Sequence, residues 1–129
     1  MGMSTVIDVT DATFQAEVIE RSQTTPVVVD LWAEWCGPCK TLGPILEKVI
    51  AATNGQVILA KVDVDANPQV AAAFRVQSIP AVYALVNGQV ADGFMGAQPE
   101  QAIAEFVARL LPSEESRVVR QLIEAGDEE

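Results

Sequence analysis

The sequence from residue 32 to residue 40 reads Trp32-Ala33-Glu34-Trp35-Cys36-Gly37-Pro38-Cys39-Lys40 and contains both cysteines of the 129-residue chain. Before it stands an apolar run, Val27-Val28-Val29-Asp30-Leu31-Trp32, which predicts a buried strand. After it, from Lys40 to Ala52, apolar residues recur at the spacing of an amphipathic helix. A C-x-x-C at the junction of a strand and a helix is typical of a thiol–disulfide redox site.

The two cysteines are expected to have different surroundings. Cys36 would lie in the first helical turn, where unpaired backbone N–H groups and the positive end of the helix dipole favour a thiolate. Cys39, one turn later, would lie on the same side but deeper, close enough to close a small disulfide ring. Pro38 suits the first turn because its missing N–H costs nothing there, and it stiffens the loop between the sulfurs.

Three other roles are open to a cysteine pair at this spacing. Free cysteines are commonly just small buried residues. A zinc site needs four ligands, and since the chain has two cysteines and no histidine, only a metal shared between chains would complete one. A structural disulfide that closes so short a loop removes little chain entropy. The pattern therefore favours redox chemistry, and neither a metal nor a separate cofactor is expected.

Composition indicates one domain with a sizeable core, since half of the residues are apolar. The net charge of −10 argues against nucleic acid and anionic membrane surfaces as partners. No segment approaches the length of a membrane span, and the N-terminus carries no basic-then-apolar signal pattern, so we expect a cytoplasmic protein. With no histidine in the chain, protons must be moved by carboxylates, thiols or water.

The order of the elements predicts an α/β fold, a mixed sheet of about five strands with helices on both faces. Strands are predicted at 6–9, 26–32, 57–64, 81–86 and 89–94, and helices at 12–21, 40–52, 69–74 and 99–111. Thr10 or Asp11 would cap the first helix, and Pro44 should kink the second. Asn87-Gly88 is a strong hairpin signal between the last two strands.

The end of the chain predicts a separate element, an acidic helical extension or linker at 112–129 after a domain spanning 5–111. Ser113 can cap a short helix there. Such acidic ends are usually solvated tails. A narrow apolar stripe suggests instead that the helix docks against something, and it comprises Val118, Val119, Leu122 and Ile123.

The stretch 32–40, together with Ile79-Pro80 and Asn87-Gly88 at these separations, resembles the thioredoxin family over about residues 5–111. The resemblance implies the thioredoxin fold and a protein-disulfide reductase recharged by a thioredoxin reductase. It implies that Cys36 is the exposed attacking thiolate. Cys39 would be the buried resolving cysteine, which attacks the mixed disulfide and releases the reduced substrate.

Asp30 stands out as a carboxylate within a run of valines. Burial of a lone carboxylate is costly and should raise its pKa toward neutrality. The thioredoxin resemblance implies that Asp30 helps to deprotonate Cys39 and that Lys61 lies beside it. The alternative is a buried polar group that is satisfied by a backbone or water hydrogen bond.

The resemblance also implies a surface for polypeptide substrates. Ile79-Pro80 matches a cis-proline loop beside the cysteines, where the Ile79 backbone would pair with an extended substrate segment. The apolar surface around it is expected to include Trp35, Gly37, Pro38 and Gly96. Ala81 follows the proline where a threonine is common, which affects substrate preference more than chemistry.

Two segments, 77–83 and 87–100, are similar to the N-terminal thioredoxin domain of chaperedoxins of the YbbN type. Those proteins join this domain to tetratricopeptide-like repeats and protect unfolded clients. Asp65-Ala66-Asn67-Pro68 and Leu111-Pro112 fit the same family. The resemblance implies an alternative function, a redox-active domain of a co-chaperone that binds unfolded proteins, within a longer chain.

Overall fold

A computed structural model describes residues 5–112 of the chain. Within this range it contains five β-strands and three α-helices, together with a π-helical segment at Gln15–Glu20 and a 3₁₀ turn at Arg21–Gln23. The strands are β1 Val6–Asp8, β2 Val27–Trp32, β3 Ile58–Asp63, β4 Ala81–Val86 and β5 Gln89–Met95. The α-helices are α1 Gly37–Ala51, α2 Pro68–Ala73 and α3 Glu100–Ala108.

The strands form one mixed sheet in the order β1-β3-β2-β4-β5. β3 pairs in parallel with both β1 and β2, whereas β4 is antiparallel to β2 and to β5. β2 lies at the centre because its run of apolar residues suits a strand that is covered on both faces. The predicted α/β class and mixed five-stranded sheet are confirmed for the described residues.

Alternation along β2 sends its side chains into two separate cores. Val27, Val29 and Leu31 pack on one face with Val18 of the π-helical segment. Val28 packs on the opposite face, in the cluster that contains residues of α1 and α3. Asp30 has the same parity as Val28, so the central strand points its carboxylate toward the face covered by α1.

The helix predicted at 12–21 forms only in part. The chain takes π-helical turns at Gln15–Glu20, and the following residues form the 3₁₀ turn. Phe14 and Val18 still share one face, as expected, and pack with Ile19 against the sheet. The buried face is therefore the one that periodicity predicts, whereas the winding differs from the predicted α-helix.

Asp11 was expected as a possible cap of that first helix, but it caps a different one. Its carboxylate accepts hydrogen bonds from the backbone N–H groups of Gln69 at 3.2 Å and Val70 at 2.9 Å, at the start of α2. The hydroxyl of Thr10 instead accepts from the Thr13 N–H at 3.3 Å, as a cap of the first turn would. A carboxylate at this end of α2 also matches the helix dipole.

Asp11→Ala should therefore destabilise the domain, although Asp11 belongs to no helix. We expect a loss of about 1–2 kcal/mol, the usual cost of removing a capping side chain. Urea unfolding of the oxidised protein measures it. Asp8→Ala, at an exposed position of β1, is the matched control and should change stability by less than about 0.5 kcal/mol. Equal stabilities of the two variants would contradict the capping role.

α1 begins at Gly37, earlier than the predicted start, and runs through Pro44 to Ala51. Asn54 and Gly55 follow it with positive φ angles of 54° and 87°, a conformation typical of the residues just after a helix. The predicted extension with its apolar stripe, residues 113–129, lies outside the described residues. Within residues 5–112 no helix is both long enough and apolar enough to cross a membrane.

Candidate active site

The two cysteines form a disulfide at the N-terminus of α1. Their Cα atoms lie 5.3 Å apart, within the ordinary range for such a bond. Cys36 is the N-cap residue in an extended conformation, and its Sγ accepts a hydrogen bond from the Cys39 backbone N–H at 3.2 Å. The first turn of α1 therefore directs a backbone donor and the positive end of its dipole at the Cys36 sulfur.

Exposure does not separate the two cysteines in this disulfide state. Cys36 is 3% exposed and Cys39 5%, so the expectation of an exposed Cys36 above a deeper Cys39 is wrong here. Cys36 and Cys39 pack with Ala33, and the partly buried Val64 and Ile79 pack against this cluster. What distinguishes the cysteines is their surroundings: Cys36 accepts the helical N–H, and Cys39 lines a cavity shared with charged groups.

The cavity behind Cys39 has a volume of about 230 Å³, and its lining includes Asp30, Trp32, Glu47 and Lys61. Asp30 is 1% exposed, and its Oδ1 has no hydrogen-bond partner among the described residues. Burial raises the pKa of Asp30 from 3.8 to about 6, opposed by the positive charge of Lys61 and assisted by the negative charge of Glu47. The predicted burial and raised pKa are confirmed.

Lys61 lies opposite Asp30 in the register of β3 and β2, as expected. Its ammonium, however, donates a hydrogen bond to Glu47 Oε2 of α1 at 3.1 Å. It also lies 5.9 Å from the centre of the Trp32 ring. The lysine thus bridges the sheet and α1 at the edge of the cavity.

The Ile79–Pro80 peptide bond is cis, as the resemblance implied. Ile79 packs against the cysteine cluster, and the Pro80 carbonyl accepts a hydrogen bond from the Gly96 N–H at 2.8 Å. Gly96 has φ +82°, a conformation in which side chains are strained, so glycine is needed at this turn. The loop and the end of β5 are therefore held together beside the disulfide.

Apolar groups reach solvent around this loop. Trp35 is 70% exposed, and its indole N–H donates to Asp65 Oδ2 at 2.8 Å, which holds the ring in one orientation. Met95 is 57% exposed, with its sulfur 3.7 Å from the Ser78 hydroxyl. Gly37 and Pro38 are exposed as well. These residues and Gly96 add accessible uncharged groups to the surface next to the cysteines.

The family model described as Thioredoxin matches residues 5–109. The chain belongs to the thioredoxin family.

Its relatives include thioredoxins from mitochondria and bacteria. Mitochondrial thioredoxin of Bos taurus is 44% identical over 109 residues, which are 84% of this chain and 64% of that protein. Thioredoxin 1 of Synechococcus elongatus is 42% identical over 109 residues, 84% of this chain and 100% of that protein. A bifunctional thioredoxin reductase/thioredoxin of Mycobacterium leprae is 41% identical over 107 residues, 83% of this chain and 23% of that protein. The chain thus spans less than two thirds of the mitochondrial relative.

Two residues of this thioredoxin-family site were missed from the sequence. Glu47 could have been found, because Cys39, Gly43 and Glu47 recur every four residues and so share one face of α1. Met95 carried no such signal, since a methionine at the end of a strand is ordinarily core. Only the end of β5 at the sheet edge makes it an exposed neighbour of Gly96.

A metal centre finds no support in the thioredoxin domain. Within residues 5–112, no group of three or more cysteine or carboxylate side chains is arranged to hold a metal ion. The cysteine pair is instead closed on itself as a disulfide. The reactive group that this part of the chain offers is the disulfide.

Proposed function

We propose that the chain is a thiol–disulfide oxidoreductase that reduces disulfides in protein substrates. The observation that carries the proposal is the Cys36–Cys39 disulfide at the N-terminus of α1, beside the loop with cis-Pro80. Membership of the thioredoxin family supports the same activity. The redox group is the cysteine pair, which passes two electrons to the substrate without another cofactor.

The first half of the proposed reaction is attack by Cys36. In the reduced protein its thiolate attacks one sulfur of the substrate disulfide, the substrate S–S bond breaks, and a Cys36–substrate disulfide forms. The substrate's other sulfur leaves as a thiolate. The Cys39 N–H and the dipole of α1 stabilise the negative charge on Cys36 before attack.

The second half needs a thiolate at Cys39. Asp30 lines the same cavity and is the proposed acceptor of the Cys39 proton, with Lys61 as the positive charge beside it. The Cys39 thiolate then attacks Cys36 Sγ, the bond to the substrate breaks, and the substrate leaves as its second thiolate. The proton on Asp30 returns to solvent or product, which restores the carboxylate.

The proposed substrate is an extended polypeptide lying across the exposed surface beside the disulfide. Ile79 and cis-Pro80 would supply backbone contacts, as in strand addition. Trp35, Gly37, Pro38 and Gly96 would supply a mostly apolar contact area. Since that area carries little charge, it would accept varied sequences around the substrate cysteine.

The proposed electron donor is a thioredoxin reductase, since one relative is named as a bifunctional thioredoxin reductase/thioredoxin. The proposed compartment is the cytoplasm, where cysteine pairs of this kind cycle between dithiol and disulfide. Residues 5–111 are the proposed catalytic domain, with 112–129 as an acidic extension. The net charge of −10 disfavours nucleic acid or an anionic membrane as a partner.

Insulin reduction driven by NADPH and a thioredoxin reductase tests the activity. The protein should turn over, and Cys36→Ser should abolish turnover because no attacking sulfur remains at the N-cap. Alkylation provides a matched control. Protein treated with iodoacetamide after reduction should be inactive, whereas oxidised protein treated in the same way should keep its activity. A folded wild-type protein that fails with both a reductase and dithiothreitol would contradict the proposal.

A second candidate is the redox-active domain of a chaperedoxin that binds unfolded clients. The exposed apolar side chains Trp35 and Met95 favour it, as does the likeness of segments 77–83 and 87–100 to that family. Suppression of aggregation of a cysteine-free client separates the two functions. Binding that persists in a variant lacking both cysteines would favour the chaperone. Insulin turnover without any suppression would favour the reductase alone.

A further inference from the structure

The hydrogen bond between Lys61 and Glu47 at the edge of the cavity has no role in the proton transfer proposed above. Lys61, opposite Asp30 in the sheet, donates its hydrogen bond to Glu47 at 3.1 Å. Oδ1 of Asp30 has no partner among the described residues, although both lysine and carboxylate line the same cavity. The Asp30 carboxylate therefore faces, without a hydrogen-bond partner on Oδ1, a cavity that Cys39 also lines.

Among the described residues, Glu47 is the one negatively charged side chain besides Asp30 that lines the cavity, and it pairs with Lys61. From α1 the cavity receives Cys39, Lys40 and Glu47, and from β3 it receives Lys61. From β4 the residue paired with Asp30 is Val82, which is apolar. The charges that act on Asp30 are therefore those of Lys61 and Glu47.

We propose that Glu47 is a positioning residue for proton transfer at Cys39, because it holds the Lys61 ammonium on α1 and leaves the Asp30 carboxyl free to exchange protons through the cavity. The inference rests on the proposed role of Asp30. Without Glu47, the lysine would turn its charge toward the nearest buried carboxylate. A carboxylate paired in that way is a weaker base toward a thiol.

Geometry on α1 supports this arrangement. Glu47 lies two turns after Cys39 on the same helical face, with Gly43 between them. A Cβ on Gly43 would lie 3.7 Å from Lys61 Nζ, an ordinary contact distance, so the lysine ammonium passes close along this face of α1 on its way to Glu47. The Glu47 side chain is 44% exposed, whereas that of Lys61 is 24% exposed. Glu47 therefore draws the lysine charge outward, away from the sheet.

Glu47→Gln tests the inference because it keeps the shape of the side chain and removes its charge. In the oxidised variant, Asp30 should titrate at a lower pH than in the wild type, and carboxyl ¹³C NMR measures this titration. Resolution of the mixed disulfide should slow by roughly two- to fivefold in single-turnover experiments, the modest effect of weakening a general base. The pH profile of the resolution rate should have its inflection at a lower pH than in the wild type, as the titration of Asp30 does.

Two further variants sharpen the test. Glu100→Gln removes the same charge from the Lys48–Glu100 pair, whose length is 2.9 Å and which does not line the cavity. In this variant Asp30 should titrate, and the mixed disulfide should be resolved, as in the wild type. In a Lys61→Met background, Glu47→Gln should have a much smaller effect, because the lysine through which Glu47 acts is gone.

The outcomes separate this inference from the proposed function. Suppose that Asp30→Asn slows resolution of the mixed disulfide while Glu47→Gln leaves both the titration of Asp30 and the rate of resolution at wild-type values. In that case the proposed role of Glu47 is wrong and that of Asp30 stands. A slower Glu47→Gln with unmoved Asp30 titration would show a merely structural residue and overturn the inference. If Asp30→Asn resolves at the wild-type rate, the role of Asp30 fails, and that of Glu47 fails with it.

Discussion

Cys39→Ser is expected to stop turnover and to leave Cys36 covalently joined to its substrate. Cys36 keeps its position at the N-terminus of α1 and can still attack, but no second sulfur remains to displace the substrate. Intramolecular groups act with effective concentrations of roughly 10⁵–10⁸ M, which millimolar external thiol cannot replace. We therefore expect insulin reduction to fall by at least about 10³-fold.

Mass spectrometry of the same reaction checks the order of attack. The Cys39→Ser protein should carry a substrate adduct on Cys36 that dithiothreitol removes. Cys36→Ser is the matched control: it should lose as much turnover but form no stable adduct. An adduct of equal yield on Cys39 in that control, or steady turnover by Cys39→Ser, would show that the roles of the two cysteines are wrongly assigned.

Asp30→Asn is expected to stabilise the protein at neutral and alkaline pH. The pKa of Asp30 rises from 3.8 to about 6, chiefly because burial disfavours the carboxylate, so the folded protein binds the proton more tightly than the unfolded chain. Stability contributed by this group is therefore present below about pH 4 and is lost as the pH rises to about 6. Above that the penalty is about 3 kcal/mol, at about 1.4 kcal/mol per pKa unit.

Urea unfolding of oxidised protein at several pH values measures this effect. Asp30→Asn should gain up to about 3 kcal/mol at pH 8 and almost nothing near pH 4, where the wild-type carboxyl is already protonated. Asp8→Asn, at an exposed position, is the control and should change stability by less than about 0.5 kcal/mol. A gain that does not vary with pH would point to packing rather than to the charge of Asp30.

The same substitution should slow the chemistry while it stabilises the fold. An amide cannot take the Cys39 proton, so resolution of the mixed disulfide should slow by at least about tenfold. General bases usually contribute ~10²–10⁴-fold, and the smaller loss expected here assumes that solvent can accept the proton in place of Asp30. Attack by Cys36, measured as formation of the mixed disulfide, should be almost unchanged, which separates the two half-reactions.

Most of the fold could be predicted from local patterns. The run 27–32, with its unbroken apolar character, identified the central strand, and Asn87-Gly88 identified the hairpin between β4 and β5. The π-helical winding at Gln15–Glu20 could not be predicted, since π-helices are rare and apolar periodicity indicates which face is buried rather than the hydrogen-bond pattern. The choice between Thr10 and Asp11 as the first cap could not be made from the sequence either, because the partners of Asp11 lie in α2, far along the chain.

Local patterns were enough to identify the redox pair, the strand before it and the buried carboxylate. Two cysteines three residues apart at a strand–helix junction, and an aspartate among valines, are local patterns whose physical consequences need no distant contact. Contacts between distant elements were needed to show that both cysteines are buried, that Met95 is exposed next to Gly96, and that Lys61 pairs with Glu47. These depend on which faces of separate elements meet, and side-chain direction across a sheet and a helix is set by packing rather than by neighbours in the chain.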